Sequence, residues 1–259
     1  MLKTYTFLFF LILTSFGVPQ NNSIECSICD KKIQEPQYLV DVWGNPFHLS
    51  HEKEGTFCEC CSRIISRKIT NGGYQLSDGR YICSLCDVSI IKSEKELNES
   101  FENVRLTLKR MGLDLIDKEE IDIKLISKTA MMEEYRFNNN DHLKGLTKIS
   151  LGKEKTFEIL ILDNIPKIQF EAILAHELFH IWLYKKNINL PKPKMEGFCN
   201  LGSYIMYKLD NTQFSKIHLM SMENEKTNLD VEIYMVLKAL MEKNSLKYIL
   251  NNITTIDIQ

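Results

Sequence analysis

The run Lys167–Lys186 contains neither glycine nor proline and is apolar on most sides of a helix, yet it carries His176, Glu177 and His180. Ile168, Ala172, Ala175, Phe179, Ile181, Trp182 and Leu183 leave no broad polar face, so such a helix belongs in a core. Ile165-Pro166 supplies its start, because the residue before proline leaves the helical region and proline is tolerated in a first turn. Lys185 and Lys186 suit the negative end of the helix dipole. Burying two imidazoles and a carboxylate costs about 2–7 kcal/mol each unless they are partnered. The fold must therefore give this helix a core and its polar residues a partner. In a helix His176 and His180 lie one turn apart on one face. Two imidazoles so placed can hold one zinc ion, with Glu177 set beside the remaining water position as a general base. The pattern points to a zinc metallopeptidase. With six histidines in the chain, chance can also produce His-Glu-x-x-His, so the neighbouring residues have to decide.

Downstream, Met195-Glu196-Gly197-Phe198-Cys199-Asn200 opens a second apolar helical stretch reaching to about Leu209. Glu196 can complete a two-His, one-Glu site with the fourth position open. Its bland alternative is an acidic residue favouring a helix N-terminus. Asn200, one turn later, is a candidate to hydrogen-bond a ligand histidine. Upstream, Phe157–Leu162 reads as a strand closed by Asp163-Asn164. It is either an edge strand that receives an extended peptide or an ordinary core strand.

Seven of the eight cysteines fall between Cys26 and Cys86, as Cys26-x-x-Cys29, Cys58-Glu59-Cys60-Cys61 and Cys83-x-x-Cys86, with His48 and His51 between the first two groups. Paired thiolates two residues apart, with a distant second pair, match a structural zinc site. The economical assignment is two sites, Cys26/Cys29/His48/His51 and Cys58/Cys61/Cys83/Cys86, leaving Cys60 over. Cys58 or Cys60 could replace a histidine in the first. A disulfide framework is the competing reading, because the N-terminus resembles an export signal: Met1-Leu2-Lys3, the apolar run Tyr5–Thr14, then Ser15-Phe16-Gly17. A signal peptide over 1–17 is expected, with an exported mature protein. The run is short of the roughly 20 residues a membrane span needs, so no stable span is expected after cleavage.

The remaining sequence supplies organisation. Ser93–Met111 has Leu97, Phe101, Val104, Leu108 and Met111 at helical spacing, and Gly112 ends it. Ile121–Ile126 alternates as a strand, Asn138-Asn139-Asn140-Asp141 marks a turn, and Leu146–Leu151 reads as another strand. No internal repeat is visible. A join near Ile91–Lys95 separates a cysteine-rich domain over 24–91 from a larger domain over 92–259. The formal net charge of −2 gives no argument for nucleic acid, and Arg63, Arg67 and Lys68 read as a solvated face. Tyr204, Tyr207 and His218 are candidates to stabilise an oxyanion.

Taken together, these residues resemble the DA-one peptidases, the LIM-containing growth regulators of plants, and their bacterial relatives. The similarity is carried by Trp43-Gly44-Asn45-Pro46-Phe47-His48 and Gly79-Arg80-Tyr81-Ile82-Cys83 in the cysteine-rich part. It continues in Ile173–Leu183, in Glu196-Gly197-Phe198-Cys199 and in the late segment Val236–Leu250. The resemblance implies an α+β protein: a small LIM-like double zinc-ribbon module followed by a zincin-like peptidase domain of the gluzincin kind. It implies one catalytic zinc on His176, His180 and Glu196, Glu177 as catalyst, and two structural zinc ions. Protein or peptide substrates are implied, with a protein partner for the LIM-like module. The plant proteins carry ubiquitin-interacting segments ahead of that module, and this chain has a signal-like stretch there, so their activation and substrates are not transferred. Between Leu219 and Ile233 the glycine-containing turn expected for the family is missing. The alternative function is a zinc-stabilised binding protein with an inactive or locked peptidase fold.

Overall fold

Paired thiol signatures need tight turns, and the chain builds two of the same design. The computed structural model describes residues 13–14, 24–114, 120–134, 144–151, 155–224 and 229–258. The segment 1–17 thus lies outside the described residues except for Leu13 and Thr14, and the expected Asn138–Asp141 turn lies wholly outside them. Contacts divide the chain after Ile90.

In the first unit, β1 (Leu13–Thr14), β2 (Gln37–Val40) and β3 (Pro46–Phe47) form one small antiparallel sheet. The 3-10 turn Leu49–His51, α1 (Arg67–Thr70), the hairpin of β4 (Gly73–Gln75) and β5 (Tyr81–Cys83), and α2 (Ser84–Asp87) follow. Bridges Glu25↔Lys32 and Phe57↔Ile64 each close a knuckle around a Cys-x-x-Cys. Within the first knuckle Cys26 N donates to Lys31 O and Asp30 N to Cys26 O; within the second, Cys58 N donates to Arg63 O and Ser62 N to Cys58 O. Asp30 and Ser62 both take the left-handed conformation, at φ 59° and 57°. The unit is therefore an internal repeat of knuckle, hairpin and short helix. No repeat was expected from the sequence, because the two knuckles share little beyond their cysteines.

The segment Trp43–Phe47 ties the halves together. Asp41, buried, accepts from Trp43 N, Asn45 N and, across to the second knuckle, Ile64 N at 3.0 Å. Trp43 Nε1 donates to Cys61 O at 2.6 Å, and the Arg63 guanidinium lies 3.3 Å from the centre of the Trp43 ring. Arg63 is thus a stacking residue, not part of a solvated face.

In the second unit α3 (Glu94–Arg110) starts with a capping box between Ser93 and Glu96. Then come β6 (Ile121–Ile126), α4 (Lys128–Glu134), β7 (Gly145–Leu151) and β8 (Lys155–Leu162). The helices α5 (Lys167–Lys185), α6 (Lys192–Asp210), α7 (Gln213–Glu223), α8 (Leu229–Asn244) and α9 (Leu246–Asn252) complete it. The sheet order is β6-β8-β7, with β8 parallel to β6 and antiparallel to β7. The strand expected at Phe157–Leu162 is therefore the central one. Its nearly continuous buried run fits pairing on both sides. Among the described strands, β7 has only β8 as a partner.

The apolar helix is α5, and it is sunk between the sheet and α6. Leu160, Leu146, Ile126 and Met131 fill the opposite sheet face under α4. Phe179 and Trp182 of α5 pack on Phe198 of α6, with ring centres 5.0 and 5.8 Å apart. The two helices approach closely at Gly202, where a Cβ would stand 2.6 Å from Ala175 O. Beside it Ser203 Oγ donates to Ala172 O at 2.8 Å. No helix among the described residues is long and apolar enough to cross a membrane.

Candidate metal centres

The first four-donor group is Cys26, Cys29, His48 and His51. Cys26 and Cys29 come from the first knuckle, His48 follows β3, and His51 sits in the 3-10 turn. Cys26 Sγ lies 3.4 Å from His51 Nδ1, and Cys29 Sγ 3.6 Å from His48 Nδ1. A tetrahedral zinc with ordinary Zn–S and Zn–N bonds sets such S···N edges at about 3.6 Å. Each imidazole presents Nδ1 to the cluster and turns Nε2 outward, His48 to Glu35 and His51 to Glu54, both at 3.7 Å. Both carboxylates stand beyond hydrogen-bond distance, whereas Lys32 O lies 3.4 Å from His48 Nε2, near enough to help orient that ring. Burial pushes the Cys26 thiol up, but hydrogen bonds around its sulfur and from His51 bring it down to about 6. The thiolate a metal needs is thereby favoured.

The second group is Cys58, Cys61, Cys83 and Cys86, all buried. Cys61 and Cys83 sulfurs are 3.7 Å apart, against about 3.8 Å across a tetrahedral zinc and about 2.05 Å in a disulfide. Cys83 N donates to Cys58 Sγ at 3.3 Å, support of the kind a thiolate takes. No disulfide joins any of the eight cysteines. Cys60, the leftover thiol, is buried.

The third centre lies in the second unit. His176 Nε2 and His180 Nε2, one turn apart on α5, are 3.1 Å from each other. Glu196 Oε2 is 3.5 Å from the first and 3.8 Å from the second. Tetrahedral N···N edges at zinc are about 3.3 Å, so these donors fit one ion. Glu196 is the fifth residue of α6 and 4% exposed, which removes the helix-end explanation for it. Burial alone would raise its carboxyl, but the hydrogen bond and charge of His176 outweigh that and hold it below the usual carboxylate range. Burial pushes His180 down to about 3, so its ring is neutral and able to ligate near pH 7. Cys199, one turn past Glu196, also comes within 4.8 Å of both histidines. Its thiol is pushed well up by burial, so the ionised Glu196 is the better third donor.

Glu177 occupies the next position on α5. Its Oε2 accepts a 2.7 Å hydrogen bond from Thr147 Oγ1 on β7. Burial raises its carboxyl, with the His176 charge and the Thr147 bond acting in opposition. A Cβ at Gly145 would stand 2.7 Å from Glu177 Oε1 and 2.5 Å from Ile173 Cγ2, so only glycine lets β7 lie this close. A half-open cavity of about 320 Å³ exposes Glu177, His180 and Thr147 together. His176 is fully buried behind them.

Other sequence candidates fall elsewhere. Asn200 makes no hydrogen bond to His176 among the described residues, and His176 Nδ1 is buried without a hydrogen-bond partner. The Tyr204 hydroxyl donates to Glu242 on α8, while Tyr207 stacks on His218 with ring centres 5.1 Å apart. None of the three lines the cavity. Gly145 and Thr147 were missed by sequence reasoning. The available signal was a glycine and a hydroxyl two residues apart, hence on one face of a strand.

Comparison with known proteins covers the region of the third centre. The family model described as "DA1-like: Protein DA1" matches residues 89–257. The chain is 24% identical to Protein DA1-related 1 of Arabidopsis thaliana over 70% of its own length and 40% of that protein's. It is 23% identical to Protein DA1 of the same plant, over 70% of this chain and 41% of the other. LIM domain-containing protein HDR3 of Oryza sativa subsp. japonica is 25% identical over 63% of this chain and 39% of its own. This chain thus spans about two fifths of these relatives. No solved structure gives a significant match.

Proposed function

The chain belongs to the DA1-like family, and from that premise we propose that it is a zinc-dependent endopeptidase. The observation that carries the reading is the convergence of His176, His180 and Glu196 beside a cavity into which Glu177 opens. The donor set fits a catalytic zinc, which leaves one position for water or substrate. When bound, zinc would polarise the scissile carbonyl and make water acidic enough to be activated near neutral pH.

The chain's own residues do the rest. Glu177 takes a proton from the attacking water and delivers it to the leaving amine. Thr147 holds Glu177 Oε2 in place, and Gly145 gives its other oxygen room. The edge strand suited to lay an extended peptide across the site is β7, not β8, because β8 is paired on both sides. The Cys/His unit is a LIM-like zinc module, proposed to bind or position a protein partner. Export is proposed from the sequence of 1–17 alone.

A second reading, a locked binding protein, has one observation in its favour. If Cys199 joined the two histidines and Glu196, the centre would have four protein donors, as structural sites do. Cleavage of an unfolded protein by the zinc-loaded chain, read as new N-termini by mass spectrometry, decides between them. The endopeptidase reading expects cleavage that falls at least about 100-fold in Glu177→Gln at unchanged zinc content. Absence of cleavage in the wild type, or equal cleavage by the variant, overturns it.

A further inference from the structure

The helix that carries Glu196 also carries two glycines that the helix itself does not need. Glycine is a poor helix former, and neither Gly197 nor Gly202 takes the left-handed backbone that would call for it. Both are buried within α6. A Cβ at Gly202 would stand 2.6 Å from Ala175 O, 2.7 Å from Ala175 C and 3.0 Å from His176 N. Those three atoms are the peptide group that leads into His176. A Cβ at Gly197 would stand 2.9 Å from Asp230 O and from Tyr234 N, both backbone atoms of α8, and 2.8 Å from Ile233 Cγ2. Backbone cannot swing aside as the end of a side chain can. Gly202 lies five residues after Gly197, so the two face about 140° apart round the helix. Thus α6 is held at backbone contact on two flanks, against α5 at a donor residue and against α8 beside Glu196.

His176 and His180 ride on one helix, so the 3.1 Å between their Nε2 atoms is set within α5. The 3.5 and 3.8 Å that separate Glu196 Oε2 from them depend instead on how near α6 comes to α5. We propose that Gly197 and Gly202 are positioning residues that keep the third centre small, so that it selects zinc over larger divalent ions such as manganese. The inference rests on the zinc reading of that centre and deepens it. An alanine methyl at 202 would have to part α6 from the His176 peptide by about 1 Å to reach ordinary van der Waals contact. Imidazole and carboxylate donors hold zinc at about 2.0–2.2 Å. A parting of that size stretches the bonds to zinc and leaves room for a larger ion. At 197 the methyl would press on α8, which supplies none of the three donors. With no slack toward α5 at Gly202, α6 would have to turn or slide and carry Glu196 off the histidines. Because α8 can share the strain, the effect at 197 is the smaller one.

The test uses the full chain, prepared with zinc and dialysed against a bidentate nitrogen chelator to empty the third centre, with zinc counted before and after. Manganese is the probe because it accepts nitrogen and oxygen donors and competes poorly for thiolates. Its uptake is followed by loss of the free-ion paramagnetic resonance signal. Zinc is then titrated in to displace it, which gives the ratio of the two dissociation constants. The wild type is expected to favour zinc, as the divalent series does. Gly202→Ala should cut that preference about 10-fold or more, within the roughly 10–100-fold that groups orienting metal ligands contribute. Gly197→Ala should shift it the same way by less, and carries the test if Gly202→Ala fails to fold. Ser203→Ala is the control for mere destabilisation. It removes the hydrogen bond to Ala172 O one residue from Gly202, so it should lower the melting temperature and leave the ratio unchanged. An unchanged ratio in the glycine variants, or an equal fall in Ser203→Ala, overturns the positioning role while the metal centre stands. A wild type that favours manganese does the same. A wild type in which dialysis removes no zinc and neither ion is taken up afterwards overturns the centre and this inference together.

Discussion

The Cys/His clusters of the first unit and the His/Glu centre of the second solve opposite problems with the same donor chemistry. The first unit has a small apolar core around Cys26, Leu39, Phe47 and Ile64, so its four-donor groups are placed where bound metal would staple its turns. In the second unit α5 is buried against the sheet and α6, and the donors sit inside an extensive apolar core. Metal in the first unit would hold the fold; in the second, the fold would hold a position for metal. The visible sign is closure, with four protein donors per group in one unit and a cavity reaching Glu177 and His180 in the other.

Removing metal should expose this contrast most sharply. Structural zinc contributes on the order of 10–16 kcal/mol to small zinc modules. Chelation should therefore abolish amide-exchange protection across 24–90 while α5, α6 and α8 keep theirs. Equal loss in both units would mean that the second depends on metal as the first does. Gly145→Ala should act next, because its methyl would meet Glu177 Oε1 and Ile173 Cγ2. A displacement of about 1 Å near the reacting groups costs roughly 100-fold in rate. The check is kcat/KM for a fixed peptide, with zinc content unchanged.

Thr147→Val removes the hydrogen bond to Glu177 and should cost about 10-fold, with Thr147→Ser restoring most of it. The same variant gives a pH test. In the proposed mechanism Glu177 acts as a base only when ionised, and burial already raises its carboxyl, so activity should be lost as pH falls through that raised value. Thr147 opposes the rise, hence Thr147→Val should move the acid limb of the rate profile to higher pH. An unmoved limb would detach Thr147 from Glu177. Arg63→Ala in the first unit should have the smallest effect, about 1 kcal/mol lost from the Trp43 stack, read as a lower melting temperature with unchanged cleavage.

What the sequence made legible was local. Pro166, the unbroken apolar run without Gly or Pro and the His spacing define α5 with no help from distant residues, and Cys-x-x-Cys encodes its own knuckle. Sheet order is non-local, which is why Phe157–Leu162 could be read as edge or centre until β6 and β7 were placed on either side. The repeat within the first unit was hidden because hydrogen-bonding backbone, not side-chain identity, is what the knuckles share. Asn200 had the right spacing from Glu196 but makes no bond to His176, since one helical turn fixes a face and not the direction of a short side chain. Thr147 and Gly145 gain their meaning only from the approach of β7 to α5.

The direct measurement is metal content, helicity and cleavage in Glu196→Gln, prepared with zinc alongside the wild type. The account predicts three zinc ions per wild-type chain and two in the variant, with helicity unchanged and cleavage lost. Three ions retained, or cleavage undiminished, would contradict it and give the third donor to Cys199 or to none of these residues.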